Sequence, residues 1–125
     1  MAEVLIVDDS SAMRAFVRTA LEDDLGMTVT ESSSGFEALR ELPRNRFDLV
    51  VVDINMPDIN GLELVAFIRK SDHHKSTPIV LISTEASERD RERGLELGAN
   101  AFLSKPFGAA ELTTLVRSVL PESPG

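Results

Sequence analysis

Leu49-Val50-Val51-Val52-Asp53 places four apolar residues, three of them valines, directly before an aspartate. A continuous β-branched run of this length suits a strand buried on both faces of a parallel sheet, where no polar alternation is needed. Two runs of the same kind lie on either side of it in the chain, Val4-Leu5-Ile6-Val7 and Ile79-Val80-Leu81-Ile82, and a shorter one follows at Ala101-Phe102-Leu103. Met27-Thr28-Val29-Thr30 is half polar, the pattern of a strand nearer a sheet edge.

Helical stripes separate these runs. Ala12, Met13, Phe16, Val17, Ala20 and Leu21 share one face. Ser34 and Glu37 have capping-box spacing ahead of Ala38 and Leu39. Asn60-Gly61 opens a stripe of Leu64, Val65 and Ile68. Ser87 is placed to cap a charged fourth helix that ends at Gly98. Leu112, Leu115, Val116 and Val119 form the fifth stripe, stopped by Pro121. Strand and helix thus alternate five times. That order predicts an α/β domain whose parallel sheet is covered by helices on both faces. A chain of 125 residues fits one core. We expect one domain over residues 1–121, with 122–125 as a C-terminal tail or linker stub.

Composition narrows the chemistry. There is no cysteine, which excludes disulfides and thiolate metal sites. A net charge of −8 argues against a nucleic-acid-binding surface. No apolar run approaches the ~20 residues needed to cross a bilayer. Met1-Ala2-Glu3-Val4 lacks the basic region of a signal peptide, so a cytoplasmic location is expected.

In an open parallel sheet, chemistry gathers at the carboxyl ends of the strands. Here those ends read Asp8-Asp9, Asp53, Ser83-Thr84 and Ser104-Lys105. Taken singly, each has a plainer reading. Asp9 can cap the first helix, Ser83 and Thr84 can cap a strand end, Lys105 can be a surface lysine, and Phe102 can be core. Their delivery to one rim favours a joint role. Three carboxylates at one point call for a cation. Lys105 supplies one charge, and a hard ion such as Mg²⁺, with Mn²⁺ as an alternative, supplies two more. Without cysteine, and with His73 and His74 placed elsewhere, zinc is disfavoured. A carboxylate beside such an ion is a nucleophile toward a phosphoryl group. Lys105 and the Ser83 hydroxyl are then available for the equatorial oxygens.

In order and spacing, Asp8-Asp9, Asp53, Met56-Pro57 with Gly61, Ser83 and Lys105-Pro106-Phe107 resemble the receiver domains of two-component (phosphorelay) response regulators. The likeness is greatest to the single-domain chemotaxis type and covers essentially the whole chain. It implies a flavodoxin-like (βα)5 doubly wound parallel sheet of strand order 2-1-3-4-5. It implies that Asp53 is the phosphoacceptor, that Asp9, Asp53 and the Asn55 carbonyl are direct metal ligands, and that Asp8 acts through water. It makes Ser83 the switch hydroxyl, Lys105 the phosphate-binding lysine and Phe102 the aromatic switch. Asn55, Thr84 and Glu85 occupy positions that tune phosphoryl lifetime, and the Lys105-Pro106 bond is expected to be cis. Such a protein is a signalling phosphoacceptor that catalyses its own phosphoryl transfer and dephosphorylation. Its partners are a histidine kinase or phosphotransfer protein and a downstream protein that reads the fourth helix, fifth strand and fifth helix.

Two positions depart from the family pattern. Phe102 replaces the commoner tyrosine and loses its hydroxyl, and Thr84 stands where a small residue is usual. The rival readings are a receiver fragment of a hybrid kinase or DNA-binding regulator, and a docking module that works without phosphorylation. A phosphatase is disfavoured for want of a separate acid/base. A flavin protein is disfavoured because the first strand leads into Asp8-Asp9 and not into a phosphate-cradling loop. Residues 71–76, with His73 and His74, read as a solvated loop at the opposite end of the sheet. Residues 88–93 read as a solvated helix face and a candidate partner surface.

Overall fold

The structure, a computed structural model, describes residues 2–84 and 88–120. Its elements are β1 (Glu3–Val7), α1 (Ser11–Leu25), β2 (Thr28–Ser32), α2 (Gly35–Glu41), β3 (Leu49–Asp53), α3 (Gly61–Lys70), β4 (Ile79–Ser83), α4 (Glu88–Leu97), β5 (Ala101–Ser104) and α5 (Ala109–Val119). The strands form one parallel sheet of order β2-β1-β3-β4-β5. The half-polar second strand lies at an edge, as its pattern predicts. It starts at Thr28 and not at Met27, and it extends to Ser32.

The unbroken apolar runs are explained by two-sided burial. Every residue of β3 and β4 is buried. Successive side chains point to opposite faces. Leu5, Val7, Val50, Val52 and Leu81 therefore meet Ala38, Leu64 and Ile68 of α2 and α3. Val4, Ile6, Val51 and Val80 meet Val17, Leu21, Leu112 and Val116 of α1 and α5. Each fully buried Val, Leu or Ile contributes about 1.5–3 kcal/mol relative to exposure, so these two apolar layers set the register that carries the strand ends to one rim.

Local signals start and stop the helices. Ser10 Oγ accepts from Met13 N at 3.2 Å, so Ser10 caps α1 and Asp9 is left for other work. Ser34 Oγ accepts from Glu37 N at 3.1 Å. The Glu37 carboxylate reaches back one residue further than a capping box requires, to Ser33 N and Ser33 Oγ. Asn60 Oδ1 accepts from Leu62 N at 2.7 Å and starts α3. At the end of α4, Gly98 N donates to Leu95 O and Ala99 N to Gly94 O, with Gly98 at φ +118°. This is the Schellman pattern expected of a C′ glycine. Ser87 lies outside the described residues.

One reading is overturned. His73 is exposed, but His74 is fully buried and does not lie in a solvated loop. Its Nε2 accepts from Phe47 N at 3.1 Å, its ring stacks on Phe47 at 5.9 Å, and its carbonyl accepts from Arg69 Nη1 at 3.0 Å. A neutral imidazole offers flat apolar faces and one acceptor nitrogen. It can therefore close the end of a core inside a polar stretch of sequence. Among the described residues, no helix is long and apolar enough to cross a membrane.

Candidate functional site

Four strands end at the same rim. Asp8 leaves β1 with its N–H on Ser32 O at 3.1 Å. Asp53 closes β3, and Ile54 N donates to Ile82 O of β4 at 3.0 Å. Ser83 closes β4, and Lys105 N, just past β5, donates to Ser83 O at 2.8 Å. The Lys105-Pro106 bond is cis, as expected. Gly61, the first residue of α3, lies so close that a Cβ there would be 2.4 Å from Asp53 O.

One carboxylate oxygen from each of Asp8, Asp9 and Asp53 lies within 4.8 Å of the other two. Asp8 is fully buried, Asp53 nearly so, and Asp9 exposed. Lys105 Nζ is 3.0 Å from Asp8 Oδ2 and 3.7 Å from Asp53 Oδ2. Asp8 Oδ1 accepts from Ser10 N at 2.8 Å, and Asp53 Oδ1 from Asn55 N at 3.3 Å. Burial, and then the neighbouring Asp8, push the Asp53 carboxyl up to about 6 against the pull of Lys105 and the Asn55 N–H. Three carboxylates gather here around one lysine, so the rim is short of positive charge even with Lys105 present. An all-oxygen, carboxylate-rich donor set in this condition fits a hard divalent cation.

Ser83 is fully buried, and its Oγ accepts from Asn55 Nδ2 at 2.9 Å. The loop after Asp53 is thereby joined to the end of β4. Thr84 is exposed beside it. Glu85 lies outside the described residues. Phe102 is partly buried and sits in a shallow groove with Leu103, Ala110, Thr114 and Leu115, along β5 and α5. Thus Asp8, Asp9, Asp53, Asn55, Ser83 and Lys105 are brought together, while Phe102 lies on the neighbouring face.

One contact of the site went unread in the sequence. Arg14 of α1 donates from Nη1 to the Asp8 carbonyl at 2.6 Å and from Nε to Glu31 Oε1 at 2.9 Å. Its only sequence signal is a cation near the start of a helix, where the macrodipole disfavours positive charge.

The sheet order and the charged rim define a doubly wound, flavodoxin-like α/β protein with that rim at the switch point between β1 and β3, where ligands bind in open sheets of this kind. Residues 4–117 match the family model of the response regulator receiver domain. The chain is 40% identical over 111 residues to chemotaxis protein CheY-3 of Vibrio cholerae, covering 88% of this chain and 85% of that protein. It is 40% identical over 120 residues to the KDP operon transcriptional regulatory protein KdpE of Escherichia coli, covering 96% of this chain but only 52% of KdpE. Chemotaxis response regulator CheY4 of Vibrio cholerae superposes with a TM-score of 0.90 at 38% identity, covering 96% of this chain and 99% of that one. The chain belongs to the response-regulator receiver family, whose members accept a phosphoryl group in two-component signalling. Receivers are signalling phosphoacceptors, typically bind Mg²⁺ in their acidic pocket, and interact with histidine kinases or phosphotransfer proteins.

Proposed function

We propose that Asp53 is the phosphoacceptor of this receiver and that the chain catalyses its own phosphorylation and dephosphorylation. One observation carries the reading: nearly buried Asp53 shares a point with Asp8 and Asp9, within reach of Lys105 Nζ. Asp9 and Asp53, with the Asn55 carbonyl, would hold Mg²⁺ directly, and Asp8 would act through water. A bound Mg²⁺ supplies the charge that neutralises the carboxylates and the incoming phosphoryl oxygens.

The Asp53 carboxylate attacks the phosphorus of a kinase phosphohistidine. The new O–P bond forms as the N–P bond breaks, and the imidazole leaves. Lys105 takes one equatorial oxygen. Ser83 takes another, exchanging its contact with the Asn55 amide for one with the phosphoryl group. That exchange draws the β4 end inward and alters the surroundings of Phe102. A downstream protein then reads α4, β5 and α5. The absence of a tyrosine hydroxyl at Phe102 leaves ring packing as the means of coupling. Thr84 borders the site, and Thr84, Glu85 and Asn55 are the positions that set the lifetime of the phosphoryl group. The cytoplasm, where such kinases present phosphohistidine, is the expected location. The same chemistry serves a chain of CheY-3 proportions or one that, like KdpE, continues well beyond the matched part.

The test is labelling with acetyl phosphate and Mg²⁺. Mass spectrometry should find one added phosphoryl group, lost in Asp53→Asn and blocked by a chelator. Labelling of Asp53→Asn at another residue overturns the site, and labelling indifferent to the chelator overturns the metal role.

A further inference from the structure

We infer that Arg14 is a positioning residue for the acidic site. It holds the Asp8-Asp9 peptide plane so that the three carboxylates converge. The inference rests on the reading of that rim as a divalent-cation site.

The Asp8 carbonyl lies past the last residue of β1, where the chain turns into α1. A carbonyl in such a turn needs a donor. Arg14 Nη1 supplies it at 2.6 Å in a charge-assisted bond. The guanidinium is itself pinned, since Nε bonds Glu31 Oε1 at 2.9 Å and the Arg14 side chain is only 15% exposed. Glu31 is held in turn by Arg18, which also donates to Val29 O at 2.9 Å. Asp8 is thus tied at every polar atom: N–H to Ser32, carbonyl to Arg14, Oδ1 to Ser10 and Oδ2 to Lys105.

The peptide unit is planar, so the Asp8 carbonyl and the Asp9 N–H turn together. Fixing that carbonyl restrains the two torsions beside it, ψ of Asp8 and φ of Asp9, which help set how both aspartate side chains leave the backbone. Asp8 is buried and well tied, but Asp9 is exposed, and its aim toward Asp53 depends on this plane.

Charge and position have opposite signs at Arg14. As a cation bonded to the Asp8 carbonyl, it opposes a divalent ion at the rim. As a clamp on the peptide, it favours one. Removing it therefore decides between them.

The chain has no tryptophan or tyrosine, so Mg²⁺ affinity is best measured by calorimetry or amide-shift titration, without any phosphodonor. Wild type is compared with Arg14→Ala, Arg14→Lys and Arg18→Ala. Arg14→Ala should weaken Mg²⁺ binding by about tenfold, the lower end for groups that orient metal ligands. Arg14→Lys keeps the charge but cannot fork between Asp8 and Glu31, and should recover only part of the loss. Arg18→Ala should stay within about twofold of wild type, because it leaves the Arg14 bond to Asp8 in place. Equal or tighter binding by Arg14→Ala overturns the inference while leaving the metal site standing. If wild type binds no Mg²⁺, the metal reading itself fails, and this inference with it. Amide spectra check folding. If Arg14→Ala does not fold, Arg14→Lys carries the test, and wild-type affinity in it overturns the inference.

Discussion

Thr84 stands exposed on the rim, directly after the buried Ser83 hydroxyl. Hydrolysis of an aspartyl phosphate needs a water in line with the breaking bond, on the side away from Asp53. A threonine beside that approach carries a methyl and a hydroxyl on a side chain that is stiff at χ1. Steric gating of this kind, worth about 1 kcal/mol, corresponds to roughly a fivefold change in rate. Thr84→Ala should therefore shorten the phosphoryl lifetime by about that factor, and Thr84→Val should leave it near wild type. Timed loss of the phosphoryl group in the three proteins is the measurement. A longer lifetime in Thr84→Ala would mean that the hydroxyl guides the water, and the gating idea would fail.

The β3–α3 junction sets the backbone of the site. Gly61 N donates to Ile54 O at 2.9 Å, and Asn60 caps the helix that follows. A Cβ on Gly61 would meet Asp53 O at 2.4 Å and the Ile54 Cα at 2.7 Å. Both are backbone atoms and cannot swing aside as a side-chain tip would. Gly61→Ala should therefore push the start of α3 off the end of β3. The cost should be about 1–3 kcal/mol, the range for overpacking. Denaturant titration should show a lower midpoint, and Asp53 should label more slowly with acetyl phosphate. An unchanged midpoint would show that the helix start is free to shift and that this glycine is not what seats it.

The two ends of the sheet should respond to acid in opposite senses. Burial holds the His74 imidazole below its ordinary range, helped by the charges of His73 and Arg46. A depressed histidine contributes stability above the unfolded value of about 6.5 and loses it as the pH falls below that point, where the unfolded chain takes up the proton first. Asp53 is raised from 3.8 to about 6. As the pH drops from about 6 toward 4, the folded protein gains a proton there that the unfolded chain does not yet bind, which adds stability. Stability should thus decline from pH 7 to about 5.5 mainly through His74, with Asp53 beginning to offset the loss. His74→Gln, which keeps an acceptor for Phe47 N but does not titrate, should flatten the decline. Asp53→Asn should steepen it. Equal pH slopes for wild type and His74→Gln in denaturant titrations would remove His74 from this role.

Continuous apolar runs made β1, β3 and β4 legible, because two-sided burial leaves no room for polar alternation. The same runs, with the shorter one of β5, locate the residues that follow them, so the sequence alone places Asp8, Asp9, Asp53, Ser83 and Lys105 at one rim. Strand order was carried by the family resemblance and not by the residues, since hydropathy records burial but not which strand lies beside which. Arg14 and His74 show where sequence stops. An arginine on a helix and a histidine in a polar loop look solvated in one dimension. The partners that define them, the Asp8 carbonyl and the Phe47 N–H, are backbone groups that any residue could supply. Only the folded chain brings those groups within hydrogen-bonding distance, so only tertiary structure could decide that one residue clamps the acidic rim and the other closes the far end of the core.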